Sequence, residues 1–273
     1  MGERTGIQWT NSTWNPVTGC TAVTRGCDHC YAADLARGRL KRRYLAQLPV
    51  VDTDETRQDP FAVRLWSERL EQPRSWILPR MIFTGSMTDL FHKDIPDEYL
   101  CRVFEEMLTV DRHIYQVLTK RPSRALRFWR NNPRLFNSEP LPQHIWIGTS
   151  IEDQDVHYRV SQLRQVPATV RFLSCEPLLA PLQVELEGIH WVIVGGESGP
   201  RFRPLNLDWA RSIRDQCLEA RVPFFFKQIG GRTPKAAGRT LDGRTWDEFP
   251  PMTSEWLWWD SIPEVVYEKM LIQ

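Results

Sequence analysis

A chain of 273 residues, 41% hydrophobic and 25% charged, can bury a large core, and its length suits one α/β barrel as well as two smaller domains. A formal net charge of +1 excludes a globally basic nucleic-acid binder, so any attraction for phosphates has to come from local clusters. Six cysteines are too sparse for a secreted disulfide scaffold, no charged, apolar and small-residue leader opens the chain, and the longest apolar runs fall far short of the roughly 20 residues that span a membrane, so a soluble cytoplasmic protein is expected.

The first expected element is a short strand at 14–18, which leads into the run Gly19-Cys20-TAVTRG-Cys27-DH-Cys30-Tyr31. Three thiolates can hold three irons of a four-iron cluster and leave the fourth open to a small ligand; the same spacing admits a zinc knuckle completed by His29 or another side chain. A first long helix is then expected to carry Arg37, Arg39, Lys41, Arg42 and Arg43, either guiding a polyanion past the cysteines or forming a solvated face. β-rich apolar runs follow at 81–84, 114–118, 145–148, 170–174, 191–194 and 223–226, separated by segments long enough for helices. One such helix, 97–108, has Leu100, Val103, Phe104, Met107 and Leu108 on one face, and another, 207–220, repeats Trp209, Ile213 and Cys217 at intervals of four.

This rhythm predicts an α/β fold with six to seven parallel strands in a closed or partly open β/α barrel, with a doubly wound sheet as the alternative. From residue 230 the composition changes to Gly, Lys, Arg and Thr, then to Trp246, Trp256, Trp258 and Trp259. A barrel domain over 1–229 and a carboxyl-terminal extension over 230–273, packed on the barrel as a lid or missing wall, are expected.

In such folds active groups gather beyond the carboxyl ends of the strands. The apolar runs here end in Gly85-Ser86-Met87-Thr88-Asp89, Thr119-Lys120-Arg121, Thr149-Ser150, Cys175-Glu176-Pro177, Gly195-Gly196-Glu197 and Lys227-Gln228. Lys120, Arg121 and Lys227 suit a carboxylate or phosphate, and Asp89 and His92 suit either acid–base work or a turn feeding a helix. The Gly195-Gly196 pair lets a ligand approach the backbone, but VGGESG lacks the GxGxxG spacing of a dinucleotide site. Cys101 and Cys217 fall on helical segments and read as core.

The runs WNPVTGC at 14–20, GCDHCYA at 26–32, FTGSMTDLFH at 83–92, VLTKRP at 117–122, SCEPLL at 174–179, VGGESGP at 194–200, FFFKQ at 224–228 and AAGRTLDGRTWDEFP at 236–250 resemble an uncharacterised phage-associated family grouped near the radical S-adenosylmethionine (SAM) enzymes, with spore photoproduct lyase as a distant relative. The resemblance implies a partial β/α barrel with a four-iron, four-sulfur (4Fe-4S) cluster on Cys20, Cys27 and Cys30. S-adenosylmethionine would chelate the fourth iron, and its reductive cleavage would give a 5′-deoxyadenosyl radical that takes hydrogen from a substrate, with nucleic acid as a candidate and a flavodoxin or ferredoxin as electron donor. The cysteines here are spaced by six and two residues, where the commonest loop of the superfamily uses three and two; loop closure costs rise slowly with length, so ligation is not precluded.

Within that resemblance His29 takes the place of an aromatic residue near adenine; beside it, residue type and strand-end placement suit Ser86, Thr119, Lys120 and Glu197 to the carboxylate and ammonium of a methionine moiety, with Gly195 and Gly196 letting the ligand approach the backbone. Cys175 is expected as a hydrogen-atom donor beside Glu176 and Lys120, the role a cysteine has in photoproduct lyases, or else as a small buried hydrophobe. A second class stays open: a cluster-bearing or zinc-bearing protein that binds nucleic acid or a partner without turnover.

Overall fold

Strand β1 (Ser12–Trp14) is short because Pro16, which has no N–H to give a ladder, follows it. The chain turns there into β2 (Val17–Thr18), which pairs antiparallel with β3 (Arg64–Leu65) in a separate two-stranded sheet. The strand expected at 14–18 is therefore divided between two sheets. The Pro16 carbonyl is held by the Trp66 N–H and the Tyr99 hydroxyl, both at 2.9 Å. The computed structural model describes residues 5–136 and 140–251.

After the cysteines the expected long helix is two short ones, α1 (Tyr31–Arg37) and α2 (Lys41–Leu45), broken where Gly38 caps the first. Helix α3 (Asp54–Gln58) follows, opened by a Thr53–Thr56 capping box. From there the chain runs β4 (Met81–Thr84), α4 (Asp97–Thr109), β5 (Ile114–Thr119), α5 (Pro122–Asn131), β6 (Leu141–Ser150), α6 (Tyr158–Arg164), β7 (Ala168–Cys175), β8 (Trp191–Gly195), α7 (Leu207–Ala220) and β9 (Phe224–Gln228). The main sheet has seven strands in the order β1-β4-β5-β6-β7-β8-β9, with every neighbouring pair parallel.

A doubly wound sheet reverses its strand order at a switch point. This one never does, so right-handed crossovers leave the helices on one face and the sheet curls into an open half-barrel, its end strands β1 and β9 unpaired with each other. One step lacks a helix: the segment between β7 and β8 covers the sheet with Leu178, Leu182, Leu186 and Ile189.

Alternation along the strands sorts the core into two clusters. On the convex face Ile82, Tyr115, Val117, Ile147, Leu173 and Val194 meet the helical residues Val103, Phe104, Phe128, Val160 and Ile213. On the concave face Trp9, Phe83, Trp146, Phe172, Trp191 and Phe225 form an aromatic floor, in which Trp191 packs edge-on to Trp146 at 5.8 Å and to Phe225 at 5.9 Å. Each such buried ring contributes roughly 2–3 kcal/mol of transfer free energy.

The described part of the extension closes over the edge strand β9. The Phe226 N–H donates to the Trp246 carbonyl at 2.9 Å, Trp246 packs on Phe224, and Phe249 joins the aromatic floor 5.0 Å from Trp191. Trp246 thus anchors the segment and shields an otherwise open edge; Trp256, Trp258 and Trp259 lie outside the described residues. Among the described residues, no helix is long and apolar enough to cross a membrane.

Candidate functional site

The alternation that buries the aromatic floor continues past the strand ends and turns Lys120, Glu152, Glu176, Glu197 and Lys227 toward the carboxyl mouth of the half-barrel. Glu176 pairs with Lys227, Nζ to Oε1 at 2.9 Å, and accepts the Ser174 hydroxyl at 3.0 Å. Lys120 Nζ lies 3.2 Å from Glu152 Oε2, which also takes Arg159 Nη1 at 3.1 Å.

The cysteine loop between β2 and α1 lies across this mouth and is tied to the ends of four strands. After β4, Thr88 donates to the Gly19 carbonyl at 2.6 Å, the Ser86 carbonyl accepts the Tyr31 hydroxyl at 2.6 Å, and His92 Nε2 meets the Thr21 hydroxyl at 2.8 Å. After β5, Arg121 Nη2 donates to the Thr21 carbonyl at 2.9 Å while Nη1 reaches Cys20 Sγ at 3.5 Å. After β6, Glu152 accepts the Thr24 hydroxyl; a Cβ on Gly26 would lie 2.8 Å from its Oε1, so a larger residue there would displace the Glu152 carboxylate. After β8, Glu197 accepts His29 Nδ1–H at 2.9 Å and Arg203 Nη2 at 2.7 Å, and Arg203 in turn donates to the Arg25 carbonyl.

Electrostatics fix these anchors in their charged forms. Burial alone would raise the Glu152 carboxyl, but Lys120, the Thr24 hydroxyl and Arg159 outweigh it and hold it below the ordinary range. Glu197 behaves the same way, with burial opposed and overcome by Arg203 and His29. Burial and then Arg121 push His92 down, which leaves a neutral ring whose Nδ1 accepts the Asp94 N–H and whose Nε2–H faces Thr21.

Cys20, Cys27 and Cys30 are all free and partly exposed on this loop. Burial, then the Asp89 charge, push the Cys20 thiol up to about 11, with Arg121 pulling against them. Burial also raises Cys30, against the Ala33 and Ala32 backbone N–H groups. The charge of Cys27 raises both, so Cys27 lies within electrostatic reach of Cys20 and of Cys30. Their chemistry fits an iron–sulfur cluster: three thiols stand on one loop, and Arg121 and Lys120 offset part of the burial that raises Cys20 and Cys30. Among the described residues no three Cys, His, Asp or Glu side chains already converge on a metal-holding point, so ligation requires the sulfurs to draw together.

Several residues expected at the mouth are placed elsewhere. Cys175 belongs to the convex face, fully buried in the same core as Cys217 of α7, and burial followed by the Cys217 charge pushes its thiol well up. This placement matches the alternative of a small buried hydrophobe, and in β7 it is Ser174 and Glu176 that have concave parity. Thr119 also has convex parity, and its hydroxyl donates to Asp89 Oδ1 at 2.7 Å. Ser86 Oγ is taken up by Asn15, and Asp89 by Thr119, Arg121 and the backbone of Phe91 and Lys120, so Asp89 and His92 brace turns rather than form an acid–base pair. The space at Gly195 and Gly196 is filled by the protein, since Cβ atoms there would lie 2.6 Å from Glu176 Oε1 and 2.0 Å from the Ile229 carbonyl. Lys120, Glu197 and His29 do gather at the mouth, Glu197 holding the loop through His29 and Lys120 pairing with Glu152.

Glu152 and Arg203 are the site residues that reading by motif passed over. Glu152 had a signal, since it lies two residues beyond Ser150 on the same strand face; Arg203, in the loop after β8, had none.

No curated protein matches the chain. Among solved structures, a cysteine-to-serine mutant of spore photoproduct lyase is similar at 14% identity with a TM-score of 0.38, over 95% of this chain and 72% of that one. A family model described as a protein of unknown function, DUF5131, matches residues 4–250, and the chain accordingly belongs to the DUF5131 family.

Proposed function

We propose that this protein is a cytoplasmic radical S-adenosylmethionine enzyme, with a 4Fe-4S cluster on Cys20, Cys27 and Cys30. The observation that carries the reading is the cysteine loop, held by four strand ends across the mouth of an open parallel half-barrel. When bound, the cluster and S-adenosylmethionine supply one-electron cleavage of a carbon–sulfur bond and so a carbon radical able to take a hydrogen atom. The residues of the chain do the rest: the anchors at Glu152, Glu197 and Arg121 set the loop's position, and the aromatic floor excludes water beneath it. Glu176 and Lys227 offer a carboxylate and an ammonium for orienting polar groups inside the mouth.

Arg37, Arg39, Lys41, Arg42 and Arg43, all exposed and without carboxylate partners among the described residues, follow the loop directly and support a nucleic-acid substrate. Electrons would come from a flavodoxin or ferredoxin.

The reading is tested by anaerobic reconstitution with iron and sulfide, metal analysis, and measurement of reductant-dependent 5′-deoxyadenosine from S-adenosylmethionine. Cys20→Ala, Cys27→Ala and Cys30→Ala should each abolish it. Zinc in place of iron, with no cleavage, would instead support a binding protein.

A further inference from the structure

Between α5, α6 and the segment after β4 lies a cavity of about 280 Å³. Lys93, Lys120, Arg121, Arg124, Arg127 and Arg159 line it, and no carboxylate does. Three carboxylates pair with these cations from behind: Glu152 is shared by Lys120 and Arg159, Asp89 holds Arg121, and Asp97 holds Arg124. Six cations against three anions leave a surplus of three positive charges, and Lys93 and Arg127 have no carboxylate partner among the described residues.

Two buried donors in this wall have nothing to donate to. Arg159 is 1% exposed and its Nε has no acceptor, and Arg124 Nη1 is likewise unpartnered. Buried donors are nearly always satisfied, so these two nitrogens mark a wall of the cavity that is short of acceptors, although neither has surface open to the cavity itself. Helix α5 adds to this, because its ten residues begin at Pro122 with no side-chain cap and its amino end, with Ser123 in the lining, opens on the cavity.

We propose that this cavity binds a multiply charged phosphoryl group, that of a phosphate monoester or a diphosphate. Guanidinium forks match phosphate oxygens two at a time, and a surplus of three charges suits a dianion or trianion better than the single charge of a diester or carboxylate. The volume takes a phosphoryl group and a small part of what bears it. Because Arg121 bonds the cysteine loop, Lys120 pairs with the Glu152 that holds its Thr24, and Val23 of that loop lines the cavity, a ligand held here would sit directly against the loop. The inference needs neither iron nor S-adenosylmethionine, so it stands or falls apart from the radical reading.

The test is calorimetric titration of the full chain with pyrophosphate, inorganic phosphate, acetate and a nucleoside diphosphate at low ionic strength, using wild type, Lys93→Ala/Arg127→Ala and, as a surface control, Arg39→Ala/Arg42→Ala. The expected result is one saturable site per chain, with pyrophosphate tighter than phosphate and phosphate tighter than acetate. The cavity variant, whose changes are at exposed positions, should keep its melting temperature and bind pyrophosphate about tenfold more weakly. A nucleoside diphosphate that binds more tightly than pyrophosphate would assign the phosphoryl group to a nucleotide; equal affinity would assign it to the phosphoryl group alone. Absence of saturable pyrophosphate binding, or an equal loss in the surface control and the cavity variant, would overturn the proposal.

Discussion

Glu152, fully buried, ties the cysteine loop through Thr24 to two cations at the mouth, Lys120 and Arg159. Glu152→Gln keeps the shape but leaves two cations short of a counter-charge, and removing one partner of a buried pair typically costs about 3 kcal/mol. Urea unfolding should show that loss, and limited proteolysis should show faster cutting between residues 20 and 30. Cys175→Ala is the opposite case. On the convex face the thiol acts as a small hydrophobe, so its removal should cost about 1 kcal/mol and leave iron content and 5′-deoxyadenosine formation unchanged. A turnover defect without a stability change would return Cys175 to the chemistry.

At the scale of elements, the strands at 81–84 and 191–194 were legible because short apolar runs there end abruptly in Gly and polar residues. The faces of those strands were not. A parallel strand covered on both sides is apolar at every position, so its sequence does not say which alternate residue looks into the mouth. That is why Cys175 and Thr119 seemed as well placed as Glu176 and Lys120. The strand expected at 14–18 failed for a local reason, the missing N–H of Pro16, and the long basic helix failed at Gly38. Position in the fold also gives the extension its role. Trp246→Ala should cost about 3–4 kcal/mol, because a large ring is lost from under the segment that covers β9. Thermal melting should register this, together with easier proteolysis after residue 230.

Across the whole molecule, near-neutral net charge coexists with concentrated basic regions, and acid sensitivity comes from buried neutral histidine. His113 is fully buried, with Nε2 facing the Pro73 carbonyl at 3.0 Å and Nδ1 unpartnered. Burial, against the Pro73 carbonyl and with help from the Arg112 charge, depresses it from 6.5 to about 4. A histidine whose folded-state value is lowered takes up its proton more readily when unfolded. Its stabilising contribution is therefore full above about 6.5 and is lost as pH falls toward 4, by up to about 3 kcal/mol. Urea midpoints measured from pH 7 to pH 4 should fall, and His113→Asn should flatten the decline.

The placement of three thiols over the mouth of an open half-barrel is the claim on which the functional account rests. Anaerobically reconstituted protein, given S-adenosylmethionine and a reductant, should contain about four irons per chain and release 5′-deoxyadenosine, and alanine at position 20, 27 or 30 should end that release. Cleavage that persists in all three variants, or a chain that takes up zinc and leaves S-adenosylmethionine intact, would contradict it.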